Sequence, residues 1–501
     1  MAKAVPRTSK TVGDIKPVQP ALKATRSSHS APVAVNGRKE NPTRNRDDAR
    51  DWQFALAEPA PRLPNLLILG ASGHVAQAFL QRLSVRRGDF GRLVLLDPND
   101  DLLRNSHLDH SLLDYQFVPR ALRLPADRTE YHALLREHAI NVVVDVTDLD
   151  TLPVLTATDA AGVSYINTSL NESGRGVAEL LSEVYPTRTR PRRVPHILSS
   201  GMNPGVVNLW VWHGVQQYGA PSEIVHFEYD SSVPASGWRP LITWSRQEFL
   251  TETVWEPTGL VVNGAVRMGA GNSLQQRVDL RPIMQPVVAL PEYPRGLLVL
   301  HEENIKFGTR LGTSSKYVYA IHPRTMTYLE ELWRERGRVN ITDLTVGDNT
   351  SIPLDGSDTI GVCLNYLDKR VYYLHSLANR DVVGTNATCA QVAVGLDAAL
   401  HALVLERLSP QIHFASDLYA TVYSDVVFGA LRVEHAVFEK QNGALVRRQR
   451  NSRLRPTFGR MGRGLGRARV DKADEAIEKT VNPSGSAEAR RRLFAQAEPT
   501  H

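Results

Sequence analysis

Two groups of residues in this sequence have types and spacing that could do chemistry. The first lies in LILGASGHVAQAFL, where Gly70, Gly73 and Ala76 fall between an apolar strand pattern and a helical one. This G-x-x-G-x-x-A turn, with Ser72, His74 and Val75 at its other positions, lets backbone N–H groups approach a pyrophosphate at the positive end of a helix. Asp97 ends the next apolar run, roughly 20-odd residues on, where a carboxylate can accept ribose hydroxyls and repel a 2′-phosphate. NAD is therefore the expected cofactor, rather than NADP. The second group is Glu228, Asp230, Glu252 and Glu303, together with Trp244 and His301. Carboxylates beside an indole face suit a cation. A carboxylate near a reacting nitrogen can take or favour its protons, and a histidine of near-neutral pKa suits proton transfer.

These residues need elements to position them. NLLILG (65–70), RLVLLD (92–97), INVVVDV (140–146) and VSYINTS (163–169) read as buried strands, with helical patterns such as HVAQAFLQRL (74–83) and TDLDTLPVLTATDAAG (147–162) between them. Strands alternating with helices predict an α/β fold, a Rossmann doubly wound parallel sheet. After about residue 205 the runs alternate, as in EIVHFEYDSS (223–232), KYVYAIHP (316–323) and RVYYLHSLA (370–378), which predicts a second, mixed α/β catalytic domain. The expected division is a basic arm over 1–60, an NAD-binding domain over 61–205 and a catalytic domain over 206–383. A helical segment over 384–439 packs back on the first domain, and a basic tail follows over 440–501.

Charge and composition narrow the class. Residues 1–50 carry +7 and residues 440–501 carry +9, so a chain of net +6 leaves −10 on residues 51–439. An acidic body attracts cations. The tails, rich in Pro, Ser and Arg, read as solvated, disordered ends rather than as a nucleic-acid site. Two cysteines, Cys363 and Cys389, provide neither a disulfide framework nor a Cys-based metal centre, and no metal site is expected. No uninterrupted apolar run approaches the roughly 18 residues of a membrane span, and the N-terminus lacks the apolar stretch of a secretory signal. The expectation is a soluble cytoplasmic protein. Its partners would be a small-molecule substrate and a second copy in a homodimer, without a membrane, and without nucleic acid unless the tails bind it.

Several segments resemble homospermidine synthase, within the wider saccharopine-dehydrogenase-like group. SGMNPGVV (200–207) is similar to that family's G-x-NPG-x-V segment, HFEYDSS (226–232) to its acidic strand, and TWSRQEFLTE (243–252) to its T-W-S-x-x-x-F-x-x-E signature. HEENI (301–305), YAIHP (319–323), SDTIGVCL (357–364) and NATCAQVAVG (386–395) resemble further segments in the same order, so the likeness runs over about 62–410. The resemblance implies that NAD⁺ takes a hydride from an amine-bearing carbon of putrescine. The resulting imine loses ammonia and condenses with a second amine, and the retained NADH reduces the product. It also implies Glu228 and Glu252 at opposite ends of the amine, Trp244 beside the reacting cation, and His301 and Glu303 in the catalytic set. Asn203 and Pro204 would shape the junction with the cofactor.

Two stretches depart from the pattern. Gly361–Leu364 is followed by NYLDKRVYYL, which puts Arg370 where the family has asparagine, and YINT is followed by SLNESGRG (169–176) rather than a Glu-Pro-Trp segment. An arginine near the substrate would suit a carboxylated amine. A saccharopine-type dehydrogenase acting on such an amine, and a non-catalytic NAD-binding sensor or scaffold, are the alternative readings.

Overall fold

Strand Leu66–Leu69 is buried on both faces, as is Val142–Asp145, and these apolar runs form the middle of a parallel sheet. In the computed structural model, which describes residues 63–453 apart from 87–88, 102, 104–112 and 350, the sheet order is Ile412–Phe414, His196–Leu198, Ser164–Asn167, Val142–Asp145, Leu66–Leu69, Leu93–Asp97, Gln116–Pro119. The chain order reverses at Leu66–Leu69. A crevice for a ligand therefore opens at the carboxyl ends of Leu66–Leu69 and Val142–Asp145. The expected Rossmann sheet is present.

The expected second, mixed sheet is present too. Its long path runs Ala265–Asn272, Pro257–Val262, Ser314–Ile321, Glu223–Asp230, Ser357–Asn365, Lys369–Ala378, Glu434–Gln441, Ala444–Arg453. Glu223–Asp230 is central, parallel to Ser314–Ile321 and antiparallel to Ser357–Asn365. Side chains alternate between faces. Val225 and Phe227 pack with Leu280, Ile283 and Met284 on one side. His226, Glu228 and Asp230 therefore share the other side. Helix Glu302–Leu311 packs on this strand, and its buried Phe307 and Leu311 join the core that contains Ile224 and Ile360.

The chain returns to each sheet late, which alters the expected boundaries. Helix Ala387–Leu405 does pack on helix His74–Ser84, where buried Asp397 pairs with Arg82 and Arg86. The segment over 384–439 is not simply helical, because Ile412–Phe414 adds the edge strand of the parallel sheet. The tail does not begin at 440 either. Glu434–Gln441 and Ala444–Arg453 form a hairpin around Asn442 and Gly443, both at positive φ. Asn-Gly between two strands is the usual two-residue hairpin signal. The basic residues obscured it: Arg448 pairs with Glu439, and the Arg447 guanidinium lies 5.4 Å from the Phe438 ring. Residues 1–60 and the rest of the tail, 454–501, lie outside the described residues. Helix Ala387–Leu405 is long and apolar enough to cross a membrane by composition, and 67% of that window is buried in the fold.

Candidate active site

The nucleotide turn follows Leu69 directly. Gly70 has φ +77°, and a Cβ there would sit 2.8 Å from Thr147 Cγ2 and 3.0 Å from Val146 O, so a side chain is both strained and blocked. Gly73 precedes helix His74–Ser84 without a side-chain cap, and Gln77 is the first residue to donate back to Gly73 O, at 3.0 Å. The N–H groups of the first helical turn, from His74 through Ala76, have no intrahelical acceptor and point out of the helix end. That suits a pyrophosphate. Asp97 ends its strand with one carboxylate oxygen accepting the Ser72 N–H at 3.0 Å and the other accepting the Asn99 N–H at 3.1 Å. Each oxygen keeps a second acceptor site. His74 turns toward the second half of the chain, with Nδ1 3.4 Å from Asp348 Oδ2.

The crossover from the first sheet to the second brings the amine-site candidates near this crevice. Gly205, at φ +132°, closes the loop after His196–Leu198 where a Cβ would strike Gly201 O. Asn203, in that loop, donates its amide to Glu228 Oε2 and to the Tyr317 hydroxyl, and Tyr317 in turn donates to Glu228 Oε2 at 2.5 Å. Asn203 thus holds a second-sheet carboxylate as well as lying at the junction, with Pro204 beside it. Glu228 is 3% exposed. Burial pushes its carboxyl up to about 7 against the two hydrogen bonds, which favour the anion.

His301 precedes helix Glu302–Leu311, and its Nδ1 contacts Glu303 while Nε2 lies 3.4 Å from Glu252 Oε1. Burial alone would lower the imidazole's pKa. Glu303 first, then Glu252, outweigh it and hold His301 well above its ordinary value. The pKa is thus raised from the near-neutral value expected from sequence, which favours an imidazolium between two carboxylates. Glu303 is fully buried and held below its ordinary value by that cation. The Tyr317 ring is 5.1 Å from the His301 ring, so Glu228 and Glu252 flank the Tyr317–His301 pair. Neighbouring Glu302 ties the helix to the first sheet, accepting the Leu170 N–H at 2.7 Å and the Ser199 hydroxyl at 2.5 Å. Trp244 donates its indole N–H to Tyr319 at 3.1 Å and meets Phe249 edge-on. Asp230 is spent on structure, accepting the Ser232 N–H at 2.9 Å and the Thr243 hydroxyl at 2.5 Å.

Sequence reasoning missed several members of this site. Glu248 is pushed up to about 8, first by burial and then by Asp148, Glu252 and Glu256. Glu256 is pushed up to about 7 by burial and Glu252. The signal was present: Glu248, Glu252 and Glu256 recur every four residues, which is one face of a helix. The chain there is helical over Arg246–Leu250 and continues as a wider π turn over Thr251–Trp255. Tyr317 and buried Asp358 come from strands whose alternation places them on the Glu228 face, since Tyr317 pairs with His226 and Asp358 with Asp230. Arg370 does not join them. It pairs with Asn365, five residues along Ser357–Asn365 from the partner of Glu228, about 16 Å away, and donates to Pro282 O at 3.1 Å. A substrate carboxylate finds no partner in it.

The sequence pattern described as saccharopine dehydrogenase NADP binding domain matches residues 66–193. This part of the chain is similar to that family's nucleotide-binding domain. Its nucleotide is of the NAD(P) type. No curated protein matches the sequence. Among solved structures, homospermidine synthase of Legionella pneumophila in complex with NAD is 15% identical, with a TM-score of 0.60 over 81% of this chain and 95% of that one. Saccharopine dehydrogenase (L-Glu forming) of Saccharomyces cerevisiae is 12% identical, with a TM-score of 0.48 over 75% of this chain and 99% of that one. The two-sheet architecture is shared with that homospermidine synthase structure.

Proposed function

We propose that this chain is an NAD-dependent enzyme of the homospermidine synthase type, which oxidises a diamine such as putrescine, releases ammonia, and couples the product to a second amine. The observation that carries the reading is an excess of carboxyl groups around one cationic histidine. Glu228, Glu303, Glu252 and Glu256 feel its charge, and Glu248 extends the group through Glu252, Glu256 and Asp148. The raised values of buried Glu228 and of partly buried Glu248 and Glu256 reflect carboxyl groups short of positive partners, a deficit that an alkyl diammonium would fill at both ends. Trp244 offers a neighbouring π surface.

The bound nicotinamide would supply the hydride acceptor and, later, the donor. The protein's own groups bind and move protons. Glu228, fixed by Asn203 and Tyr317, has a pKa suited to taking a proton from one ammonium near neutral pH. Glu252, beside His301, would hold the other end. Asp97 favours NAD, because its carboxylate stands where a 2′-phosphate would be repelled. The deciding experiment is to incubate the protein with NAD⁺ and a panel of diamines and amino acids, identifying products by mass. Ammonia release from a diamine without net NADH supports the proposal. Stoichiometric NADH would make it a simple dehydrogenase, and NAD binding without amine turnover would make it a sensor.

A further inference from the structure

Asp358 is fully buried on the sheet face that carries Glu228 and Asp230. One of its oxygens accepts the Gln391 amide at 3.0 Å. The other, Oδ1, makes no well-formed hydrogen bond among the described residues, although the Thr388 hydroxyl stands close enough to favour the ionised carboxyl. Glu228 stands opposite Ile360 and Asp358 opposite Asp230, so the two carboxyl groups are diagonal neighbours on one buried face, and Glu228 Oε2 already accepts from Asn203 and Tyr317. An ionised carboxylate is an acceptor only, so two facing carboxylates cannot bond unless one carries a proton. Two like charges in a buried site cannot both stay ionised without a cation between them.

We infer that Glu228 and Asp358 hold one proton between them in the amine-free site, and that an arriving alkylammonium expels it to solvent. The inference rests on the diamine reading above and deepens it, making substrate binding proton-coupled. The step balances simply. A carboxyl–carboxylate pair plus R–NH₃⁺ becomes two carboxylates around R–NH₃⁺, and one H⁺ leaves. No bond in the amine breaks, and nothing is oxidised or reduced.

The surroundings favour this exchange. The groups facing the pair are Asp230 and His226 from the Glu223–Asp230 strand, Tyr317 and Tyr319 from Ser314–Ile321, and Gln391 and Thr388 from Ala387–Leu405. His226 is neutral, pushed down to about 4 by burial. His301 is the cation felt by Glu228, yet it is already engaged by Glu303 and Glu252. With those partners taken, a second cation at Glu228 must come from the ligand.

The test uses the full-length protein loaded with NAD. Calorimetric titration with putrescine at pH 7, in buffers of different ionisation enthalpy, should show release of close to one proton per amine bound. The Asp358→Asn variant should release almost none. Release that persists in Asp358→Asn assigns the proton to His301 and overturns the inference, as does binding without release in the unaltered protein. A second measurement needs no amine. Infrared difference spectra at pH 7 should show a protonated-carboxyl C=O band that Asp358→Asn and Glu228→Gln each remove or shift. If putrescine does not bind, the diamine reading falls, while the infrared band still decides the shared proton: its absence overturns the pair.

Discussion

Replacing Asp97 with alanine tests the nucleotide site most directly, because this carboxylate has two jobs. It joins the glycine turn to the strand end by accepting the Ser72 N–H at 3.0 Å and the Asn99 N–H at 3.1 Å. It also has acceptor sites left for ribose hydroxyls. A hydrogen bond to a charged group is worth about 1.5–3 kcal/mol net. Losing the ribose contact should therefore weaken NAD about 10- to 150-fold, since 1.4 kcal/mol is about tenfold. The turn itself should loosen, because two backbone donors lose their acceptor, although water can reach a residue 8% exposed. NADP should respond in the opposite sense. A unit charge about 4 Å from the carboxylate is disfavoured by about 1 kcal/mol in water and about 4 kcal/mol at a protein surface. Removing that repulsion should offset most of the loss for NADP, and the preference for NAD should shrink by about fivefold or more. Calorimetric titration with each nucleotide measures both, and a thermal melt controls for folding. Unchanged affinity for both nucleotides in a folded variant would refute the assignment of this turn. Equal losses for both would refute the discriminating role of Asp97.

Three other outcomes are expected. Glu228→Gln and Glu252→Gln should each cut amine turnover about 30- to several-thousand-fold, as removing one partner of a desolvated charge costs about 2–5 kcal/mol; Trp244→Phe should lose less than Trp244→Ala, NAD affinity should stay near that of the unaltered protein, and near-normal turnover in both Gln variants would remove the diamine site. His301 is held above its ordinary value by Glu303 and Glu252, so its stabilising contribution is full below about pH 6.5 and fades as pH rises through its folded-state pKa; melting temperature against pH should show that alkaline loss, and Glu303→Gln should diminish it. A chain ending at Arg453 should melt like the full-length protein, whereas one ending at Gly443 loses the Ala444–Arg453 strand, exposes the edge of Glu434–Gln441, and should melt lower.

The nucleotide half was legible for a local reason. Buried parallel strands must be apolar throughout, and a phosphate turn needs small residues at fixed offsets, so Leu66–Leu69, Gly70, Gly73 and Asp97 each declare themselves within a few residues. The second sheet was legible as alternating runs. Its order was not, because strands as distant in sequence as Glu223–Asp230 and Ser357–Asn365 are brought together by tertiary packing. The hairpin at Asn442–Gly443 was readable in principle, but a run of arginines on an edge strand resembles a solvated tail.

The amine site divides along the same line. Residue types alone located carboxylates, an indole and a histidine in acidic segments, which suffices to expect a cation. Which of them do chemistry depended on the fold. Strand register engaged Asp230 with Ser232 and Thr243, set Asp358 diagonally beside Glu228 on one face, and carried Arg370 away along the strands. His301 changed most, from a group expected near neutrality to one whose pKa is raised well above it, because Glu303 lies two residues away in sequence but Glu252 is delivered from a separate helix. Hydrogen bonding and desolvation act over a few ångströms in space, so a sequence names the ionisable groups while the packed structure sets which of them are charged.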